Sequence, residues 1–508
     1  MLAAGQDNAF GQPVGSQLRS CLIATRLAEA MGLVEADRTA IYWVALLRYL
    51  GCTGHAHEVA AVFGDDVDTR SRSVVKDLSD PRQLLPEILQ HAGGGGTGVH
   101  RFRSVLAMLA GGRRFVEMNF RTGCEVGDAL LERLGLSAVV RDALQHTFEQ
   151  WNGKGFPNAV RGAAIPIPMR VVRLSHDAEA LLRIRGVSEA FEILRSRSGR
   201  LYDPALVGEF LSVGRDVIAE VDKVDPWAAA VALEPEPRVE LAGDDLDRVL
   251  LVVADFVDLK SVYTAGHSRG VADLAAAAAS GLGMNDEVVA VRRAGWVHDL
   301  GRTAIPNSVW DKPDALTRAE TDRVELHPLL GEQILRRCAG LSAEAAIAAL
   351  HHERLDGSGY SKGVRAVSLP MSARVLAAAD RYHDLVEDRA YRPTLSGAQA
   401  AVEIRRRVGD GGLDGEVAEA VLVAAGHASR GSRRANHPAG MTDREVDVLR
   451  LAAQGLTMRQ VASRLGISAK TVDHHLQRIY VKTGVGTRGA LALFAIEHGL
   501  VRPAPADS

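Results

Sequence analysis

Seven nitrogen and carboxylate side chains fall between residues 267 and 380 of this 508-residue chain. They are His267, the adjacent pair His298-Asp299, His327, the pair His351-His352, and Asp380. Imidazoles and carboxylates of this kind suit first-row divalent metals such as iron or manganese, and seven donors exceed what one ion needs. Two ions about 3.5–4 Å apart can share a carboxylate and clamp a phosphate between them. Taken singly, the histidines of a helical protein more often only pack or hydrogen-bond. Here they come in a bounded order with Gly301, Ile305-Pro306, Gly331 and the run Glu353 to Tyr360, which argues for a built site.

The pieces Thr264 with His267-Ser268-Arg269, His298-Asp299-Leu300-Gly301-Arg302, His327-Pro328-Leu329-Leu330-Gly331 and His351-His352-Glu353 through Gly359-Tyr360 resemble the HD-GYP branch of the HD phosphohydrolases. Arg374 and Asp380 complete the pattern. The resemblance implies an all-helical domain, a centre of two or three metal ions, and phosphodiester hydrolysis with cyclic di-GMP as the best-known substrate. Under it, His267, His298, His327, His351, His352 and Asp380 are expected as metal ligands and Asp299 as ligand and bridge. Arg302 is expected to hold a phosphate oxygen.

The sequence departs from the family at Arg302, where Lys is usual, and at Ser361, where Pro is usual. Arg and Lys are not equivalent at a phosphate site, and Ser361 lacks the fixed φ of Pro. Tyr263 occupies the place of an acidic ligand to a third ion, so two ions are expected. Glu353 and Asp356 read as supports of the ligands or as loop caps. His383-Asp384 lacks a following Leu-Gly and reads as incidental.

Helices must position these groups. Val288 to Val297 runs into His298-Asp299, and Val271 to Ala279 follows His267. His351-His352 is expected on a further helix. An earlier stretch repeats the pattern: Glu149-Gln150-Trp151-Asn152-Gly153-Lys154-Gly155-Phe156-Pro157 resembles Glu353 to Ser361, and Ile165-Pro166 with Arg170 resembles Leu369-Pro370 with Arg374. A double match at constant offset indicates a duplicated unit. The offset puts Gly123 at His327, Thr147-Phe148 at His351-His352, and His176 at Asp380. Arg48-Tyr49 falls at His298-Asp299 and Gln17 near His267, so this copy is expected to have lost catalysis. His55, His57 and Glu58 do not read as a replacement metal site, because residues two apart share a face only on a strand. Gly93 to Gly96 reads as a flexible loop.

Met441 to Leu500 carries a separate pattern. Thr442 followed three residues later by Glu445 is a capping box. Met458 to Leu465 and the stretch from Lys470 to Tyr480 form two helices around Gly466-Ile467-Ser468, the spacing of a helix-turn-helix. The stretch resembles the LuxR-type DNA-binding domain through Arg444-Glu445, Gly455, Val461-Ala462, Thr471-Val472, Lys482 and Arg488. That resemblance implies four helices and dimerisation through the last, Arg488 to His498. Lys470, Thr471, His474 and Arg478 are expected at base edges or phosphates, with Lys482 at phosphate. Asp473 stands where a cation is usual. Eight Lys or Arg against five Asp or Glu between Met441 and Val501 allow a basic face here, although the whole chain has a net charge of −3.

The expected organisation is all-α: a degenerate HD-GYP-like domain (1–220), a Pro-rich linker (221–245), a metal-binding copy (246–428), a second linker (429–440) and the LuxR-type domain (441–503). No apolar run is long enough to span a membrane and the start lacks a signal peptide, so a cytoplasmic location is expected. The four widely spaced cysteines, Cys21, Cys52, Cys124 and Cys338, read as buried thiols. The expected function is a phosphodiesterase or phosphohydrolase with two divalent ions, iron or manganese, acting on a cyclic dinucleotide or another nucleotide phosphate. It is coupled to double-stranded DNA binding by a homodimer. The alternative is a nucleotide-sensing transcription factor that binds the same ligand with little turnover.

Overall fold

A computed structural model describes residues 1–77, 79–94, 98–426 and 437–501. Among them the chain is all-helical, with two isolated bridges in place of any sheet. It divides into two compact units, Leu2–Ala242 and Gly243–Ser508. No helix among the described residues is long and apolar enough to cross a membrane.

The two units repeat one another element by element. Helix Ser16–Ala30 in the first and His267–Gly281 in the second each have 15 residues and start after a glycine at positive φ, Gly15 and Gly266. A side chain would be strained in that left-handed backbone. Buried Asp7 accepts the Gln17 N–H at 3.0 Å, as Asp258 accepts the Ser268 N–H at 2.8 Å. Helix Glu35–Leu47 then corresponds to Val288–Val297, and each leads into a short 3₁₀ turn, Leu50–His55 or Leu300–Ala304.

These 3₁₀ turns press backbone against backbone. A methyl added at Gly51 would lie 1.9 Å from the Gly123 carbonyl oxygen, and one at Gly301 would lie 1.9 Å from that of His327. Glycine is required at both places. Arg170 pairs with Asp203 at 2.6 Å and Arg374 with Asp414 at 2.9 Å, and both aspartates cap the next helix.

The first unit also contains helices Asp66–Ser73, Pro81–His91 and the 36-residue Gly98–Arg133. Of the expected Gly93 to Gly96 loop, residues 95 and 96 lie outside the described residues. The 221–245 stretch is not all connection: Asp225 accepts the Ala228 N–H and Pro226 occupies the first turn of a helix, Pro226–Ala232. Such a cap and a proline at the first position start helices. Of the expected second linker, residues 429–436 lie outside the described residues, and Pro438–Gly440 is a 3₁₀ turn.

Four helices close the chain: Asp443–Ala453, Met458–Leu465, Ala469–Thr483 and Arg488–Glu497. Thr442 with Glu445 forms the expected capping box, Thr457 with Gln460 forms another, and Ser468 accepts from the Thr471 N–H. Val446, Leu449, Val461, Val472 and Ile479 are buried between these helices. Arg444 reaches the Leu465 carbonyl and Arg488 the carbonyls of Ala452 and Leu456, tying the four together.

Candidate metal centre and DNA-facing helix

The seven expected side chains meet at one place in the second unit. His267, His298 and Asp380 bring ligand atoms within 4.8 Å of one another, as do His327, His351 and His352, and also His298, Asp299 and His351. Asp299 lies between the sets. Its Oδ2 is 3.4 Å from His298 Nε2 and 3.7 Å from His267 Nε2, while Oδ1 is 3.4 Å from His327 Nε2 and 3.7 Å from His351 Nε2. Asp380 also faces both ways, with Oδ1 3.2 Å from His267 Nε2 and Oδ2 3.7 Å from His352 Nδ1.

Local backbone geometry aims these rings. His298 stands at the C-terminal end of Val288–Val297 and donates Nδ1–H to the Gly295 carbonyl at 2.7 Å. His327 and His351 donate in the same way to Val324 and Ala348, each at 2.6 Å. All three therefore present Nε2 inward. Fixing one ring nitrogen so that the other is free is how a histidine is prepared for a cation. His351-His352 does not lie on a helix as expected. The helix Ser342–Ala348 ends first, and the pair occupies the following turn.

His267 is oriented by a carboxylate that sequence reasoning missed. Its Nδ1 is 2.8 Å from Glu387 Oε2, and Arg389 holds the same oxygen at 2.9 Å. Burial alone would lower the His267 pKa, but Glu387 and Asp380 outweigh it and lift the ring to about 10. Burial would raise Asp299 and Asp380; Arg302 and the imidazoles hold Asp299 far below the usual range, and the imidazoles do the same for Asp380. Such a buried network of donors and acceptors fits divalent cations. His298 Nε2 in particular is buried with no hydrogen-bond partner, an orphan of the sort a cation satisfies.

Arg302 pairs with Asp299 and lies 3.8 Å above the centre of the Trp310 ring. Glu353 caps its loop, accepting the N–H groups of Lys362, Gly363 and Val364 at 2.6–3.1 Å. Asp356 accepts from Ser358 in the same loop. Glu149 makes the Glu353 arrangement in the first unit, accepting from Asn158 and Val160. A cavity of about 710 Å³ opens over the histidines, walled by Trp310 and Tyr360. Six cations line it, Arg302, Lys312, Arg354, Arg381, Arg389 and Arg407, together with six carboxylates, two of them Asp299 and Asp380 of the His/Asp set.

The corresponding place in the first unit has Arg48-Tyr49, Thr147-Phe148, Gly123 and His176, and the helix start puts Ser16, one residue before Gln17, at the position of His267. No group of three ligand-type side chains gathers among the described residues there. His55 is buried without a hydrogen-bond partner, and burial lowers its pKa to about 3.

On the helix Ala469–Thr483, Lys470, Thr471, Asp473, His474 and Arg478 are all exposed. Lys482 is engaged internally, donating to the Gly440 carbonyl at 3.0 Å and to Glu445 at 2.7 Å. Asp473 accepts from Gln477 at 3.2 Å.

A model of the HD domain matches residues 119–206 and 248–417, and a model of bacterial regulatory proteins of the luxR family matches residues 439–495. The 3′3′-cGAMP-specific phosphodiesterase 3 of Vibrio cholerae is 28 % identical over 78 % of this chain and 86 % of its own length. The 3′3′-cGAMP-specific phosphodiesterase 1 of the same organism is 32 % identical over 36 % of this chain and 43 % of its own length. A cyclic di-GMP phosphodiesterase of Pseudomonas aeruginosa is 36 % identical over 40 % of this chain and 46 % of its own length. A crystal structure of a cyclic GMP-AMP-specific phosphodiesterase of V. cholerae shares the fold, with a TM-score of 0.58 at 24 % identity over 84 % of this chain and 96 % of that one.

Proposed function

The chain belongs to the HD-domain family, and from that premise we propose a metal-dependent phosphodiesterase for cyclic dinucleotides, fused to and coupled with a DNA-binding regulatory domain. The observation that carries the reading is Asp299, whose two oxygens face separate histidine sets. His267, His298, Asp299 and Asp380 would hold one ion, and His327, His351, His352 with Asp299 the other. A donor set of imidazole and carboxylate without thiolate suits iron or manganese. When bound, the pair supplies Lewis acidity toward a phosphodiester and acidifies water.

The protein's own groups do the rest. Glu387 and the carbonyls of Gly295, Val324 and Ala348 keep the imidazoles aimed. Arg302 holds a non-bridging phosphate oxygen, and Trp310 and Tyr360 offer faces on which bases stack. The size of the cavity suits a ring with two phosphates, and relatives named for 3′3′-cGAMP and cyclic di-GMP point to that substrate class.

Coupling has a physical route. Residues at the end of the regulatory domain lie against the glycine preceding His267: a methyl on Gly266 would be 2.8 Å from the Val501 carbonyl and 3.8 Å from Ile496. Arg464 pairs with Asp388 at 2.7 Å, one residue beyond Glu387. Dimerisation through Arg488–Glu497 and DNA binding by Lys470, Thr471, His474 and Arg478 are biased by whether this contact is kept.

The test is hydrolysis of 3′3′-cGAMP and cyclic di-GMP by manganese- or iron-loaded protein, beside DNA binding on the same sample. Turnover abolished by Asp299→Ala supports the enzyme. Tight binding without turnover, together with a change in DNA affinity, supports the sensor reading.

A further inference from the structure

The first unit has replaced its metal site with a different pocket. A cavity of about 170 Å³ sits where the ligand set would be, and much of its wall is aromatic. Phe120 and Phe148 stack with centroids 3.7 Å apart, Phe156 meets Phe120 edge-on at 5.8 Å, and Tyr49 lies 6.2 Å from Phe148. Arg48, at the position of His298, lines the same cavity and is only 6 % exposed. Its Nη2 makes one long bond, 3.5 Å, to the Thr147 carbonyl, and its Nε and Nη1 are buried with no hydrogen-bond partner. Arg173 donates to the Glu149 carbonyl and leaves its Nε unpartnered.

Buried guanidinium N–H groups without acceptors are costly. Arg48 lies over the Tyr49 ring at 5.1 Å, and the carboxylate of Asp177 in the same lining is already engaged by Tyr202 at 2.8 Å and His176 at 3.4 Å. An empty core would be better served by an apolar side chain at position 48. Aromatic faces on one side and, on the other, an Arg48 guanidinium whose Nη2 holds a single long bond are complementary to a flat ring bearing a carboxylate.

We propose that this cavity binds a small planar aromatic acid, making the first unit a ligand-sensing domain rather than an inert remnant. Size limits the class, since a cavity of about 150 Å³ accommodates benzene. One ring system fits and a cyclic dinucleotide does not. The ligand of the first unit is therefore chemically distinct from the substrate assigned to the second.

The experiment titrates the full-length protein with benzoate by calorimetry and locates 4-bromobenzoate in crystals by the anomalous signal of bromine. Saturable binding with a Kd of about 1 mM or tighter is expected, weakened at least about tenfold by Arg48→Met. That variant removes unpaired donors, so its Tm should not fall. The bromine should lie among Phe120, Phe148 and Phe156. No saturation up to about 10 mM, equal binding by Arg48→Met, or bromine elsewhere would overturn the proposal. Because neither readout involves hydrolysis, the outcome is independent of whether the second unit is an enzyme.

Discussion

Gly301→Ala isolates the packing that the metal centre depends on. The added methyl would stand 1.9 Å from the His327 carbonyl oxygen, whereas ordinary contact begins at 3.4 Å, so 1.5 Å must be found by moving backbone. The turn that must move carries Asp299 on its N-terminal side, and the helix that must move begins with His327. Metal–ligand distances tolerate about 0.2 Å. A 1 Å misplacement at a reacting centre costs about 100-fold in rate. Overpacking of this kind also costs about 1–3 kcal/mol of stability. The expected result is at least a 100-fold fall in kcat/KM, with reduced metal content and a lowered Tm. Gly51→Ala meets the same 1.9 Å obstacle at Gly123 and provides the control. It should destabilise by a similar amount yet leave metal content unchanged. Steady-state kinetics, metal analysis and calorimetry on both variants check this. A Gly301→Ala protein with activity and metal content within twofold of the parent would refute the claim that the Gly301 approach sets the Asp299–His327 geometry.

Three further outcomes follow from other parts of the molecule. Burial lowers His55 to about 3 and His176 to about 4, below the 6.5 of an exposed ring, so the unfolded chain takes up protons that the folded one refuses. Stability should be fully present above pH 6.5 and fall as the pH drops toward 4, by up to about 1.4 kcal/mol per unit per histidine; urea titrations should show the slope reduced in His55→Phe. On the recognition helix, Lys470→Ala should weaken binding to all DNA sequences and flatten the salt dependence by about 0.9 in log–log slope, while Asp473→Asn should strengthen binding. Fluorescence anisotropy against salt measures both. Breaking the half-exposed Arg464–Asp388 pair by Arg464→Ala should cost at most about 1 kcal/mol. It should raise DNA affinity by up to about fivefold if the contact restrains the regulatory domain, and unchanged affinity would remove this contact from the coupling route.

The order of His267, His298-Asp299, His327, His351-His352 and Asp380 was enough to anticipate one gathering point: the first four stand at helix ends or in the turn after one, and Asp380 lies within the helix Met371–Val386. The division of labour within Asp299 was not legible, since which oxygen faces which ring depends on the packing of Leu300–Ala304 against the helix starting at His327. Glu387 escaped notice because it is 120 residues from His267 and no spacing rule links them. Lys482 is expected at phosphate from the LuxR-type resemblance; that it also donates across the fold to Glu445 and the Gly440 carbonyl was not legible, since no spacing rule links them. The offset between the copies placed non-ligand residues at most metal positions of the first unit, but it was one residue out at His267, where Ser16 rather than Gln17 stands. It did not show what had replaced the ligands, because the aromatic wall joins Phe148 and Phe156 to the distant Tyr49 and Phe120. The LuxR-type helices were the most legible part, because Thr442 and Ser468 announce two of their starts in the sequence itself.

The central claim is that Asp299 joins two cation sites, and metal stoichiometry tests it most directly. Protein loaded anaerobically with manganese, freed of excess and measured by plasma mass spectrometry should contain about two ions per chain. Asp299→Ala should contain one or none. A parent protein that binds no more than one ion, or an Asp299→Ala protein that retains two, would contradict the account.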